Sequence, residues 1–441
     1  MSIFKDCDIR GIYGRELDQE DGYRVGRALA TMTQGSPFCV GGDVRLSTPA
    51  LKARLIQGLL DGGCRVLDLG VIATPVMYFA LNRLEVAGGA MVTASHNPPQ
   101  YNGVKFMLGH APVTREQMDR MAGIVARGDY RQGQGQWVPT PMLEAYRDFL
   151  VNRFGPEPKG LKVVVDAGNG AMSAIAPQAM AACGYQVEKL FCQPDGRFPN
   201  RTPNPAEYDK LTALSRRVLD TGADLGVAFD GDGDRAVFCD EKGQVIISER
   251  ILVLFIRYLL RDKPTPVVYD QKSSSVVKRA ILAAGGQPVP ERSGHTFIKR
   301  RFLENGAAVA GEVSGHFFFG ELGYDDGLFA ALTLAQALGY WKASLSQALA
   351  EVVCPPITPD LRVFCPYGEQ DQVLEAVERA FQGHPVSHLD GVRVEMDRGW
   401  LLIRKSVTAE QMTVRVEGET QADLERILDG LSKVHPRLGS L

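Results

Sequence analysis

One pattern occurs three times in the 441 residues: an apolar strand, an acid, a short polar loop, a helical stretch, a glycine stop and a second strand. Phe38-Cys39-Val40-Gly41-Gly42-Asp43 leads through Leu51 to Leu60 and on to Gly62-Gly63-Cys64-Arg65-Val66. Leu161 to Asp166 leads through Ile175 to Ala182 and on to Cys183-Gly184-Tyr185-Gln186-Val187. Thr265 to Asp270 leads through Val276 to Ala284 and on to Gly285-Gly286-Gln287-Pro288-Val289. Such alternation builds a layered α/β domain, and its return at long spacing predicts three related domains rather than a short-repeat solenoid.

From about Leu361 the pattern changes. Strands at Arg362 to Phe364, Val392 to Met396, Trp400 to Ile403 and Met412 to Glu417, with helical stretches Glu369 to Phe381 and Gln421 to Leu431, predict a smaller α+β domain. Proline- and glycine-rich stretches at Phe154 to Gly160 and Cys354 to Asp360 read as linkers. The expected domains are therefore 1–150, 151–250, 251–358 and 359–441.

A net charge of −3 gives no support for a nucleic-acid or membrane-surface role, so the expected partner is a small molecule. The eight cysteines form no C-x-x-C pair and read as reduced, buried thiols of a cytoplasmic protein. Met1 to Cys7 lacks a signal peptide's apolar core, and the run Ile251 to Leu260 is short and carries Arg257, which suits a buried helix.

Two stretches carry chemistry. Thr93-Ala94-Ser95-His96-Asn97-Pro98 follows the small apolar run Gly88 to Val92 and offers one hydroxyl as a covalent phosphoryl carrier. Asp230-Gly231-Asp232-Gly233-Asp234-Arg235 follows the strand Leu225 to Phe229; glycines let the backbone curl so that three carboxylates converge on one hard cation. An EF-hand is excluded because Arg235 occupies the position that requires glycine and a strand precedes in place of a helix. Asp166-Ala167-Gly168-Asn169-Gly170 has the look of a dinucleotide turn but lacks the third glycine. An aspartyl phosphatase with Asp230 as nucleophile is the rival enzyme reading, and a calcium- or nucleotide-responsive binding protein is the non-enzyme one.

Thr93 to Pro98, Asp230 to Arg235, Gly311-Glu312-Val313-Ser314-Gly315-His316 and Arg404-Lys405-Ser406-Val407-Thr408 occur in the order seen in the α-D-phosphohexomutase superfamily. The whole chain resembles its phosphomannomutase/phosphoglucomutase branch. That resemblance implies three α/β domains with mixed sheets and a C-terminal α+β domain around a central cleft. It implies Ser95 as phosphoserine, and Asp230, Asp232 and Asp234 as Mg2+ ligands with a Ser95 phosphoryl oxygen completing the site. Arg10, within Asp8-Ile9-Arg10-Gly11, resembles a cleft arginine, and Lys105, within Asn102-Gly103-Val104-Lys105, a lysine of the phosphoserine site. Lys105, Arg10 and His316 are the implied proton-transfer candidates; His96 is left a positioning role and Arg45 a structural one.

For the substrate, the resemblance implies Glu312, Ser314 and His316 on sugar hydroxyls, with Lys272, His295 and Arg235 as further ligand residues. Arg404, Ser406 and Thr408 would cradle the far phosphate. Relatives carry R-x-S-N/G-T-x-P there, whereas this chain has Val407 and then Ala409-Glu410; Arg415 is placed to compensate. The implied reaction moves a phosphoryl group reversibly between a hexose 1-phosphate and 6-phosphate through a hexose 1,6-bisphosphate. Glu312-Val313-Ser314 is closer to the G-E-M-S form associated with mannose and glucose phosphates than to the G-E-Q-S form of phosphoglucosamine mutases, which stay the close alternative.

Overall fold

The computed structural model describes residues 3–5, 8–157, 159–406 and 410–439. In the first repeat, the strand Phe38–Gly42 lies parallel between Arg65–Val71 and Gly88–Val92, and Tyr101–Leu108 returns antiparallel beside Gly88–Val92. The second places Lys162–Asp166 parallel between Gln186–Leu190 and Leu225–Phe229, with Ala236–Asp240 antiparallel. The third places Pro266–Asp270 parallel between Gln287–Glu291 and Val309–Gly311, with Phe317–Phe319 antiparallel. All three sheets are mixed, and the four strands named take the same order in each. Central parallel strands such as Leu225–Phe229 are buried at every position, which is why they read as unbroken apolar runs.

The recurring acid has a local reason. Asp43 Oδ1 accepts the Arg45 N–H at 2.9 Å, Asp166 Oδ1 accepts that of Gly168 at 2.8 Å, and Asp270 Oδ1 accepts that of Lys272 at 2.9 Å. Each carboxylate closes a turn two residues on, at the end of the first strand. The glycine-containing turn at Asp166 is likewise internal: Gly168 packs against the guanidinium of Arg201, whose Nε bonds Asp166 Oδ2 at 2.8 Å.

The C-terminal sheet is antiparallel throughout, in the order Leu361–Phe364, Gln411–Gly418, Gly399–Lys405, Val392–Met396, Val386–Ser387. The largest apolar core runs continuously from the first repeat through the third, whereas the C-terminal sheet and its two helices have a separate core. Polar ties join it to the rest of the chain: Glu417 accepts the Ser275 N–H of the third repeat, and Arg415 Nη2 donates at 2.8 Å to Glu249 Oε1 on the helix Ser248–Leu259. No described helix is long and apolar enough to cross a membrane.

The apolar helix Gly327–Trp341 starts beside the site on Asp326, which accepts the Phe329 N–H at 2.9 Å and the Tyr146 hydroxyl at 2.8 Å. Burial outweighs these bonds and pushes the Asp326 carboxyl from its ordinary value near 3.8 up to about 7. The folded chain thus binds this proton more tightly than the unfolded one. The associated stability is fully present below pH 3.8 and is lost as pH rises through about 7, an effect on the order of 4 kcal/mol at most. Asp326→Asn is expected to gain stability over the parent progressively from pH 4 to 7 and then hold a constant advantage. Urea midpoints across that range check it; parallel curves would refute it.

Candidate active site

The three motif loops occupy one topological position. Ser95 lies beyond Gly88–Val92, Asp230 follows Leu225–Phe229 and Glu312 follows Val309–Gly311, each at the carboxyl end of its repeat's third strand. Ligand sites of open α/β sheets gather at the carboxyl ends of strands. Here the three loops meet. Ser95 Oγ donates to Asp230 Oδ2 at 2.8 Å, and Arg235 and His316 form an antiparallel bridge. Gly231 is required at that meeting, because a Cβ there would lie 2.4 Å from the Ser95 carbonyl oxygen.

Ser95 has φ 49°, a left-handed conformation uncommon for serine. Its N–H donates to Thr93 Oγ1 at 2.8 Å, and Thr93 Oγ1 donates to Asp43 Oδ2 at 2.8 Å. Beneath the loop the buried Arg45 guanidinium donates to the carbonyls of Ser95 (2.8 Å), Asn97 (2.6 Å), Pro98 (2.7 Å) and Tyr101 (3.0 Å), and its Nε pairs with Asp43 at 3.1 Å. Arg10 Nη1 donates to Asn97 Oδ1 at 3.0 Å, while its Nη2 pairs with Asp8. His96 Nδ1 is 3.3 Å from Ser95 Oγ; burial, then the charge of Arg235, keeps this imidazole neutral by lowering its pKa well below the ordinary value.

Asp230, Asp232 and Asp234 are fully buried, and one oxygen from each lies within 4.8 Å of the others. Lys105 Nζ donates to Asp232 Oδ2 at 2.9 Å and Asp234 Oδ2 at 2.6 Å, and Thr74 Oγ1 donates to Asp232 Oδ2 at 2.7 Å. Asp232 Oδ1 and Asp234 Oδ1 have no hydrogen-bond partner. Burial and then the charges of Asp234 and Asp232 push the Asp230 carboxyl well up. Two orphaned oxygens among three buried carboxylates fit a hard cation. Burial drives Lys105 down, but Asp232, Asp234 and Asp230 outweigh it and raise its pKa, so it is charged.

His316 Nδ1 lies 2.7 Å from Asp325 Oδ2, and Arg235 Nε donates to His316 Nε2 at 2.9 Å. Both ring nitrogens are engaged, which leaves none open for the proton transfer expected of this residue. His295 stacks on His316 with ring centroids 5.3 Å apart, and burial lowers its pKa to about 3. Glu312 Oε2 and Ser314 Oγ are buried without a partner, as polar groups kept for a ligand would be.

The expected phosphate cations are paired internally. Lys272 Nζ donates to Asp360 Oδ2 at 2.9 Å, and Arg404 Nε lies 3.2 Å from Asp390 Oδ2. Burial opposes ionisation of Asp360, and Lys272, Arg415 and Arg404 together overcome it and lower its pKa, so these cations surround one carboxylate. Arg415 itself is tied to Glu249. Ser406 follows the strand Gly399–Lys405, with its N–H on the Gln411 carbonyl at 2.9 Å; Val407, Thr408 and Ala409 lie outside the described residues. Sequence reading missed Asp43, Thr74, Asp325, Asp360 and Asp390. Asp43 alone was signalled, by the repeated strand-ending acid.

The family models for phosphoglucomutase/phosphomannomutase, alpha/beta/alpha domains I, II and III, match residues 1–132, 144–243 and 248–354 in series. The chain is 38% identical over 434 residues to the phosphomannomutase/phosphoglucomutase of Pseudomonas aeruginosa, covering 97% of this chain and 94% of that one. It is 37% identical over 437 residues to the phosphoglucomutase of Neisseria gonorrhoeae, covering 96% and 95%. A phosphoglucomutase/phosphomannomutase family protein from Burkholderia thailandensis superposes with a TM-score of 0.92 at 32% identity, covering 99% and 97%. Three consecutive domain models and near full-length relatives place this chain in the phosphoglucomutase/phosphomannomutase family of the α-D-phosphohexomutase superfamily.

Proposed function

We propose that the protein is a reversible phosphohexomutase acting on mannose and/or glucose phosphates. The observation that carries this is the 2.8 Å bond from Ser95 Oγ to Asp230 Oδ2, which joins a hydroxyl to a carboxylate cluster fit for a cation. Asp230 Oδ1 already accepts the N–H groups of Gly233 and Arg235, so Asp230 is bonded at both oxygens. That disfavours it as a phosphatase nucleophile.

In this reading the bond from Ser95 Oγ to phosphorus breaks as a bond from a sugar hydroxyl to phosphorus forms. Lys105, charged between Asp232 and Asp234, gives a proton to Ser95 Oγ as its bond to phosphorus breaks and is recharged by the proton that the sugar hydroxyl releases. The bisphosphorylated sugar turns around and its other phosphoryl group returns to Ser95, leaving the isomer. Asp230, Asp232, Asp234 and an oxygen on Ser95 would hold Mg2+, which supplies neutralising charge during transfer. Arg10 and Arg235 contact the reacting phosphoryl group, Glu312, Ser314 and His295 the sugar. Lys272, Arg404, Ser406, Thr408 and Arg415 serve the far phosphate, for which Asp360 and Asp390 are stand-in counterions. We assign four domains at 1–150, 151–250, 251–358 and 359–441, and a cytoplasmic location consistent with the seven free cysteines among the described residues.

The test compares mannose, glucose and glucosamine 1-phosphates with Mg2+ and a trace of hexose 1,6-bisphosphate, reading 6-phosphate formed, and maps the phosphorylated residue by mass spectrometry. Turnover of mannose or glucose 1-phosphate with an acid-stable phosphate on Ser95 is expected. Turnover of the amino sugar alone would overturn the substrate assignment, and an acyl phosphate on Asp230 would overturn the mechanism.

A further inference from the structure

We propose that Asp325 is a positioning residue for phosphoryl transfer, acting through His316 to fix the orientation of Arg235. This rests on the mutase reading for its purpose but not for its geometry. Asp325 is fully buried, on the short strand Tyr324–Asp325 that pairs with Phe318, two residues past His316. Its Oδ2 sits 2.7 Å from His316 Nδ1, and Arg235 Nε sits 2.9 Å from His316 Nε2.

The proton positions follow from the partners at the two ends. An arginine Nε can only donate, so Nε2 must be the accepting nitrogen. An ionised carboxylate can only accept, so Nδ1 must carry the hydrogen. The neutral Nδ1–H tautomer satisfies both, and both alternatives, the Nε2–H form and the imidazolium, set an N–H against the Arg235 N–H. Asp234 Oδ1, at 3.8 Å from Nδ1, is too far to compete.

The consequence lies at Arg235. Its backbone N–H bonds Asp230 Oδ1 at 3.2 Å, and the next residue donates from Ala236 N to the Gly315 carbonyl at 3.0 Å, so the strand end is pinned on both loops. With Nε committed to His316, the terminal Nη atoms have no protein partner among the described residues. The charge of Arg235 acts on His96 of the serine loop and on Asp230 and Asp234. A guanidinium held by Nε, whose charge reaches His96 and the Asp230 to Asp234 cluster, is arranged to grip a phosphoryl group in a fixed plane.

The chain can be read directly. In protein labelled with 15N-histidine, with His316→Gln assigning the signal, His316 is expected as the neutral Nδ1–H tautomer; an Nε2–H form would overturn the proposal whatever the variants do. Asp325→Asn should keep both the tautomer and most of the turnover, because the amide oxygen accepts the same N–H. Asp325→Ala should lose the tautomer preference and about 10- to 100-fold in kcat, with a smaller change in KM. Because Asp325 acts through Arg235, the double variant Asp325→Ala/Arg235→Ala should be no slower than Arg235→Ala alone. Additive losses would refute the proposal. Absence of mutase activity in the parent would sink the functional reading while the tautomer still decides the geometry.

Discussion

Alanine at Ser95 is expected to reduce turnover by at least about 10⁴-fold while leaving the fold in place, because in the proposed mechanism Ser95 is the group that carries the phosphoryl group covalently between the two half-reactions. Alanine keeps the Cβ that already tolerates φ 49°, so the loop conformation costs no more than in the parent. Arg45 reaches the backbone carbonyl of residue 95, not its side chain, and Thr93 accepts its N–H, so the supports survive. The loss is the bond to Asp230 Oδ2, which strands a buried carboxylate oxygen at about 1–3 kcal/mol unless a cation covers it. Mg2+ should therefore raise the melting temperature of Ser95→Ala by more than that of the unphosphorylated parent. Incubation with hexose 1,6-bisphosphate followed by intact-mass measurement should add one phosphate to the parent and none to the variant. Undiminished turnover would remove Ser95 from the mechanism.

Much of this arrangement is legible in the chain because it is local. The strand-ending acids Asp43, Asp166 and Asp270 each bond an N–H two residues on, so strand, acid and loop leave one signature in sequence and structure. Asp230, Asp232 and Asp234 are equally compact. Residues whose partners lie far along the chain leave no such trace. Asp325 meets Arg235 through His316, Thr74 meets Asp232 across 158 positions, and Asp360 meets Lys272 across 88. The internal pairing of the phosphate cations was equally hidden, since a lysine or arginine in sequence looks the same whether it awaits a ligand or sits on Asp360 or Asp390. The shared position of the three motif loops becomes visible only in the folded chain, where each lies at the carboxyl end of its repeat's third strand.

Arg45 is the clearest case of a long-range support, and its replacement by methionine is the second large effect expected. The guanidinium is 1% exposed and places donors on four carbonyls between Ser95 and Tyr101 besides the Asp43 carboxylate. Its pKa is lowered by burial, and Asp43 is raised by burial with Arg45 opposing, so neither charge is comfortable without the other. Arg45→Met removes one partner and leaves the other inside, which should cost about 3–5 kcal/mol in urea unfolding. Kcat should also fall steeply, because the loop that holds Ser95 at φ 49° loses its carbonyl anchors. Arg45→Lys should recover only part of either loss, since one ammonium cannot reproduce a planar fork. The double variant Asp43→Asn/Arg45→Met separates the two effects. It should regain stability, as the stranded charge is gone, but not turnover, as the serine loop is still unheld. Full turnover in Arg45→Met, or recovery of kcat along with stability in the double variant, would show that Arg45 compensates Asp43 without organising the serine loop.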